Sequence, residues 1–137
     1  MRAPVTHRKP RAADKKGIEK QCLALWSKCV RTRDRVCRVT GADTGLQAHH
    51  IRSVSHKATY LRLENGLTVS NKIHCLQKFN PEKFQDIIID TIGPEEYQRL
   101  KTMSQREFKP TVPWLLETKD YLKMMLKHLQ DDYGVLI

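Results

Sequence analysis

The sequence predicts an α+β fold in which a short hairpin and the helix after it are embedded in a mainly helical domain. Apolar residues recur at helical spacing before residue 35 and again after residue 80. Between these regions, residues 36–70 combine turn signals such as Asn65-Gly66 with short apolar stretches that are typical of strands. A chain of 137 residues is long enough for one domain with a modest core.

The N-terminal part divides into a basic arm and a helix. Residues 1–16 are basic, contain two prolines and have little apolar content, which predicts a flexible arm. Residues 17–34 carry apolar side chains at the i, i+4, i+7 and i+8 positions of an amphipathic helix. Cys22 and Cys29 belong to that apolar face, so we expect buried, unreactive thiols there.

The centre of the chain predicts two strands followed by a helix. Leu46–Ser53 has the character of a strand and contains His49 and His50, which would point to opposite sides of it. Leu67–Val69 forms a second short strand after the turn, and a helix that carries His74 follows.

A helical tail is predicted over residues 80–132. Asn80 is a favourable N-cap with Pro81 at the first helical position, and this helix should end at Gly93. Pro94 opens the next helix, and the last helix should run from about Trp114 to residue 132.

The charge is concentrated in one half of the chain. The chain has 25 Lys and Arg against 15 Asp and Glu, and residues 1–62 hold 15 of the basic and 4 of the acidic side chains. Such a distribution favours a polyanion as partner, with nucleic acid ahead of an anionic membrane surface. No apolar run is long enough to cross a bilayer and no secretory signal is visible, so we expect a cytoplasmic protein.

The central text LQAHHIRSVSHKATYLRLENGLTVSNKIHC resembles the HNH nuclease family, whose ββα-metal unit is built from a His pair, an Asn and a last His. The spacing His50–Asn65–His74 is similar to that of colicin-type DNases. The surrounding sequence is more similar to phage-type HNH proteins, in the segments RD..C...G...GL.AHHI, S...ATY....ENG and H.....NP..F. The helical tail is similar in layout to the NinG/Rap recombination nucleases, and the resemblance covers about residues 22–130.

The resemblance implies a single HNH nuclease domain over residues 17–137, with its core motif at 46–78. His49 and His74 would be the metal ligands, His50 the general base and Asn65 the residue that holds the loop around it. The implied activity is metal-dependent hydrolysis of DNA to 5′-phosphate and 3′-hydroxyl ends, extending to branched intermediates such as Holliday junctions. Such an activity would place the protein in the cytoplasm of a bacterial host if it is phage encoded.

The sequence also departs from the family pattern. The four positions that hold a structural zinc in many relatives are Cys37, Thr40, Ser70 and Ile73 here, so we expect no structural zinc. Lys78 stands where a third histidine ligand is common. Two protein ligands suit Mg²⁺ or Mn²⁺, which keep several waters, better than Zn²⁺. Cys75 adjoins His74 and replaces no ligand of the pattern, so we expect another buried thiol.

Seven basic side chains are candidates for contact with nucleic acid. They are Arg31, Arg33, Arg35, Arg52, Lys57, Arg62 and Lys78. A solvated face explains Arg52, Lys57 and Arg62 equally well, and the helix dipole explains the arginines at the end of the first helix. Loss of the third ligand keeps an alternative open, namely a catalytically degenerate HNH-fold protein that binds DNA or inhibits a host protein. The last helix is long enough to support a homodimer.

Overall fold

The computed structural model describes residues 12–134 and is a mixed α+β structure that is mostly helical, which confirms the predicted class. The five helices described are α1 (Ala12–Asp34), α2 (Asn71–Phe79), α3 (Pro81–Ile92), α4 (Pro94–Ser104) and α5 (Val112–Gly134). The strands are β1 (Leu46–His50) and β2 (Gly66–Ser70), and a short 3₁₀ turn (Leu63–Asn65) precedes β2. No helix in residues 12–134 is both long and apolar enough to cross a membrane.

Two predicted boundaries differ from the structure. Helix α1 begins at Ala12, so residues 12–16 are helical and not part of a flexible arm, and Asp14 in the first turn is favourable for the helix dipole. The rest of the predicted arm, residues 1–11, lies outside the described residues. Strand β1 ends at His50 and not at Ser53, because the Asn65 side chain binds the backbone of Arg52 and so draws the chain out of the ladder.

The hairpin is antiparallel, with His49 opposite Leu67 and His50 opposite Gly66. Both faces of β2 are buried. Leu67 and Val69 join a core cluster with Phe84 and Ile88 of α3. On the other face, the Thr68 hydroxyl donates to the Val30 carbonyl oxygen of α1.

Gly66 is required where α1 crosses the start of β2. A Cβ atom at this position would lie 2.3 Å from Cγ2 of Val30 and 2.8 Å from Cζ2 of Trp26. Both neighbours are almost fully buried, so neither can move away into solvent. The absence of a side chain therefore sets the distance between α1 and the hairpin.

Helices α1 and α5 run side by side in the same direction. The thiols of Cys22 and Cys29 each lie 3.3 Å from a carbonyl oxygen of α5, those of Leu115 and Leu122. Both thiols are buried, as predicted, and burial raises the pKa of Cys29 to about 11. The prediction for Cys75 was wrong: it is exposed, because the short helix α2 buries no residue fully and turns that position outward.

Helix caps determine where α3 and α4 begin and where α3 ends. As predicted, the Asn80 side chain accepts a hydrogen bond from the Lys83 amide, and Pro81 begins α3. Gly93, with φ of 93°, ends α3 in a conformation that favours glycine, and Pro94 begins α4. These turns place α3 and α4 beside the end of β1.

Candidate active site

The structure brings together two histidines that are 25 positions apart in the sequence. The ring centres of His49 on β1 and His74 on α2 are 6.1 Å apart. Phe84 of α3 packs its ring edge-to-face against His49 at 4.8 Å between centres, which limits the rotation of that imidazole. Burial, followed by the charges of His74 and His50, lowers the pKa of His49 to about 4. His49 is therefore neutral at pH 7, as a metal ligand must be.

His50 has different neighbours from those of His49, as expected for adjacent strand residues. Its ring stacks on Trp26 of α1, with 3.8 Å between ring centres and 10° between planes. Its Nε2 atom is 3.0 Å from the carbonyl oxygen of Tyr60. Because a carbonyl can only accept, Nε2 must carry the proton, and in the neutral ring Nδ1 is left as the basic nitrogen.

The environment of His50 favours the neutral ring. Burial lowers its pKa, the bond to the Tyr60 carbonyl acts in the opposite direction, and the charge of Lys57 lowers the pKa again. The net shift is downward. A neutral imidazole with one nitrogen committed to a carbonyl is suited to accept a proton at the other.

Asn65 holds the loop that follows the histidines. It is fully buried, and its amide bridges both backbone groups of Arg52: Oδ1 accepts from the Arg52 amide at 2.8 Å and Nδ2 donates to the Arg52 carbonyl at 3.0 Å. The Ile51 amide donates to the Asn65 carbonyl at 2.9 Å. Asn65 therefore fixes the chain immediately after His50 without touching the imidazole itself.

A cleft of about 280 Å³ opens at this point, and both His49 and His50 line it. Arg52 also lines it and is held from α4, since Nε donates to Ser104 Oγ at 3.0 Å and Nη1 to the Tyr97 hydroxyl at 3.2 Å. These bonds use two of its five N–H groups, so the guanidinium keeps donors for an anion in the cleft.

The donors that a divalent cation would find here are the imidazoles of His49 and His74, and water would have to complete its shell. Their ring centres lie 6.1 Å apart, so these two residues are the ones that would hold such an ion. No group of three or more His, Cys, Asp or Glu side chains suited to a metal occurs in the part of the chain that is described. Lys78, one turn after His74, is exposed and supplies no ligand while charged.

Two of the predicted nucleic-acid contacts, Arg33 and Lys57, have partners within the protein. Arg33 donates to the Leu63 and Gly66 carbonyl oxygens, both at 2.8 Å, and to both carboxylate oxygens of Asp34. Its guanidinium thus ties α1 to the hairpin and has few donors left for phosphate. Lys57 contacts the Tyr60 ring at 4.2 Å.

The other predicted contacts lie nearer the surface. Arg62 is exposed and pairs with Glu64 at 3.3 Å, a contact of the kind that contributes little to stability. Arg31 donates from Nε to the Ser27 carbonyl of its own helix. Arg35 follows α1 with a positive φ of 67° and is exposed.

Sequence reasoning missed three contributors to the site. The packing of Phe84 on His49 could have been suspected, because Phe84 is the last residue of the motif H.....NP..F. Trp26 lies on the apolar face of the predicted first helix, and that pattern gives no sign of its stacking on His50. The role of Tyr97 could not have been suspected either, since its spacing predicted only an apolar helix face, whereas its hydroxyl accepts from both Arg52 and Gln85.

Comparison of the chain with models of protein families, with curated proteins and with solved structures finds no match. The interpretation of the site therefore depends on its geometry and on the sequence motif.

Proposed function

We propose that this chain is a metal-dependent DNA endonuclease of the HNH type. The observation that carries the proposal is that His49, which lies near His74, and His50 line one cleft, with Nε2 of His50 bonded to a backbone carbonyl and Nδ1 left basic. A strand, a loop of 15 residues and a helix converge on this arrangement, which matches the order of residues in the HNH motif. Cation-rich residues 1–62 supply the charge needed to attract DNA.

In the proposed mechanism, Nδ1 of His50 accepts a proton from the water that attacks the phosphorus atom. The P–O3′ bond breaks, and the leaving 3′ oxygen takes a proton from solvent, which gives a 5′-phosphate and a 3′-hydroxyl. Trp26 and the Tyr60 carbonyl keep the imidazole oriented, and Asn65 keeps the loop in place. Arg52 donates to a phosphate oxygen from the side of α4.

His49 and His74 would hold a divalent metal, with water and phosphate oxygens completing its shell. Mg²⁺ and Mn²⁺ match such a site, because zinc sites in proteins usually take three or four side-chain ligands. When bound, the ion supplies Lewis-acid stabilisation of the leaving oxygen and neutralises phosphate charge.

The test is nicking of supercoiled plasmid by the purified chain with Mg²⁺, Mn²⁺ or Zn²⁺. We expect His50→Ala to lower the rate by about 10²- to 10⁴-fold, the range of general-base catalysis. His128→Ala is the matched control, since His128 is an exposed residue of α5 outside the cleft. Equal rates for His50→Ala and the control would refute the mechanism. A four-way junction assayed beside linear duplex tests whether branched DNA is preferred.

Lys78, at the position where a third histidine ligand is common, favours a second candidate, a degenerate HNH-fold protein that binds DNA or inhibits a host protein. Titration of Mn²⁺ by calorimetry separates the two. A nuclease should bind the ion through His49 and His74 and lose binding in either alanine variant. The degenerate protein should show no such binding yet still shift DNA, with an affinity that falls steeply as salt rises.

A further inference from the structure

A second cavity, of about 680 Å³, lies apart from the histidine cleft. It is enclosed by residues 57–64, the end of α4, the connector after it and the first turns of α5. Its volume lies in the range of pockets that hold small organic ligands. The catalytic proposal leaves this cavity without a role.

One wall of the cavity is aromatic. Phe108, Trp114 and Tyr121 line it, with the first two rings edge-to-face at 4.8 Å between centres. Phe108 is 39% and Tyr121 50% exposed, so part of each ring remains accessible to a ligand. Exposed aromatic rings in a cavity are the groups on which unpaired bases stack in proteins that bind single strands.

The rim of the cavity carries cations. Lys57, Arg62 and Arg106 line it against two carboxylates, Glu64 and Glu107. Lys57 contacts the Tyr60 ring and Arg62 donates from Nε to the Ala58 carbonyl oxygen. Their ion pairs, with Glu19 at 3.8 Å and with Glu64 at 3.3 Å, are part-exposed. Such pairs are weak, so a phosphate can replace either carboxylate at little cost. Aromatic faces beside movable cations match a nucleotide better than they match an apolar ligand.

The cavity is also connected to the histidine cleft through one loop. Lys57 and Arg62 line the cavity, while the Tyr60 carbonyl between them accepts from His50. The loop that lines the cavity is therefore also the loop that orients His50.

We propose that this aromatic cavity binds an unpaired nucleobase of single-stranded or branched DNA, with the adjoining phosphate on Lys57 and Arg62. The inference deepens the proposed function, on which it rests, by naming unpaired nucleotides as part of the substrate.

The test is a binding measurement in EDTA, which separates binding from cleavage. Fluorescence anisotropy compares a labelled strand of about ten thymidines with a labelled hairpin duplex of the same nucleotide count. We expect the single strand to bind more tightly than the duplex. Tyr121→Ala and Phe108→Ala should each weaken single-strand binding by about 5- to 150-fold, the range for loss of one base–aromatic stack. Duplex affinity should change less than about twofold.

Met124→Ala is the matched control, because Met124 is also 50% exposed on α5 but does not line the cavity. Equal affinity of the wild type for both probes, or equal effects of Tyr121→Ala and Met124→Ala, would overturn the inference. Binding of an acidic peptide with no binding of the single strand would overturn it as well. If the protein nicks plasmid through His50 but shows no preference for the single strand, only this inference is refuted. If it binds the single strand but never nicks, only the nuclease assignment is refuted.

Discussion

Substitution of Gly66 by alanine tests whether the approach of α1 to the hairpin positions His50. The added Cβ atom would lie 2.3 Å from Val30 and 2.8 Å from Trp26, whereas ordinary contacts fall at 3.4–4 Å. Relief of the first contact requires a displacement of about 1 Å in a close-packed core. The φ of Gly66 is −111°, so alanine meets no backbone strain there and the effect is purely steric.

The packing argument is tested by whether Gly66→Ala raises or lowers the free energy of unfolding. Without the clash, Gly→Ala in a strand should stabilise by about 0.5–1 kcal/mol. Overpacking a core costs about 1–3 kcal/mol, so we expect Gly66→Ala to lower the free energy of unfolding by about 1–2 kcal/mol. Because Trp26 stacks on His50, its displacement should also lower any nicking activity.

Urea denaturation followed by far-UV circular dichroism measures the stability, and Trp fluorescence reports the displacement of Trp26. Gly17→Ala is the matched control: the same chemical change, within α1 and with no atom within 4 Å of the new Cβ. This variant should be more stable than wild type by up to about 1 kcal/mol. If Gly66→Ala proves as stable as the wild type, the packing argument is refuted.

Three further predictions concern other parts of the molecule. Phe84→Ala should lower the free energy of unfolding by about 3–5 kcal/mol, because the Phe84 ring is only 4% exposed. Phe79→Ala should change it by less than about 0.5 kcal/mol, because the Phe79 ring is 85% exposed, and equal losses in parallel urea curves would contradict this. Burial would raise the pKa of Asp34, but hydrogen bonds from Arg33 and from Thr68 hold this pKa below its usual value. The ionised carboxylate therefore stabilises the fold above about pH 4, and this contribution is lost as pH falls through the lowered pKa. Asp34→Asn should therefore lose less stability than the wild type between pH 5 and pH 3, and identical pH profiles would argue against the contribution. Finally, a thiol reagent should modify Cys75 rapidly in the folded protein and should modify the buried thiols only on unfolding, so Cys75→Ser should remove the rapid phase in an absorbance assay.

Local signals in the sequence were sufficient for most elements of the fold. The Asn80-Pro81 cap and Gly93 determined where α3 begins and ends, because their effects act within one helical turn. The start of α1 was misplaced because residues 12–16 carry no large apolar side chain, so apolar periodicity gives no signal there. The exposure of Cys75 was missed for a related reason, since α2 is too short to show a clear periodic face.

The sequence by itself determined which residues are candidates for chemistry: the His49–His50 pair, Asn65 and His74, set in a chain whose basic half favours DNA. It could do so because residue type and spacing along a hairpin and a helix carry that information. Only the tertiary structure decided which nitrogen of His50 is free, through the Tyr60 carbonyl. It also showed that Arg33 hydrogen-bonds α1 to the hairpin and that residues from three separate segments of the chain enclose an aromatic cavity. These features depend on contacts between residues far apart in the chain, and no local pattern encodes them.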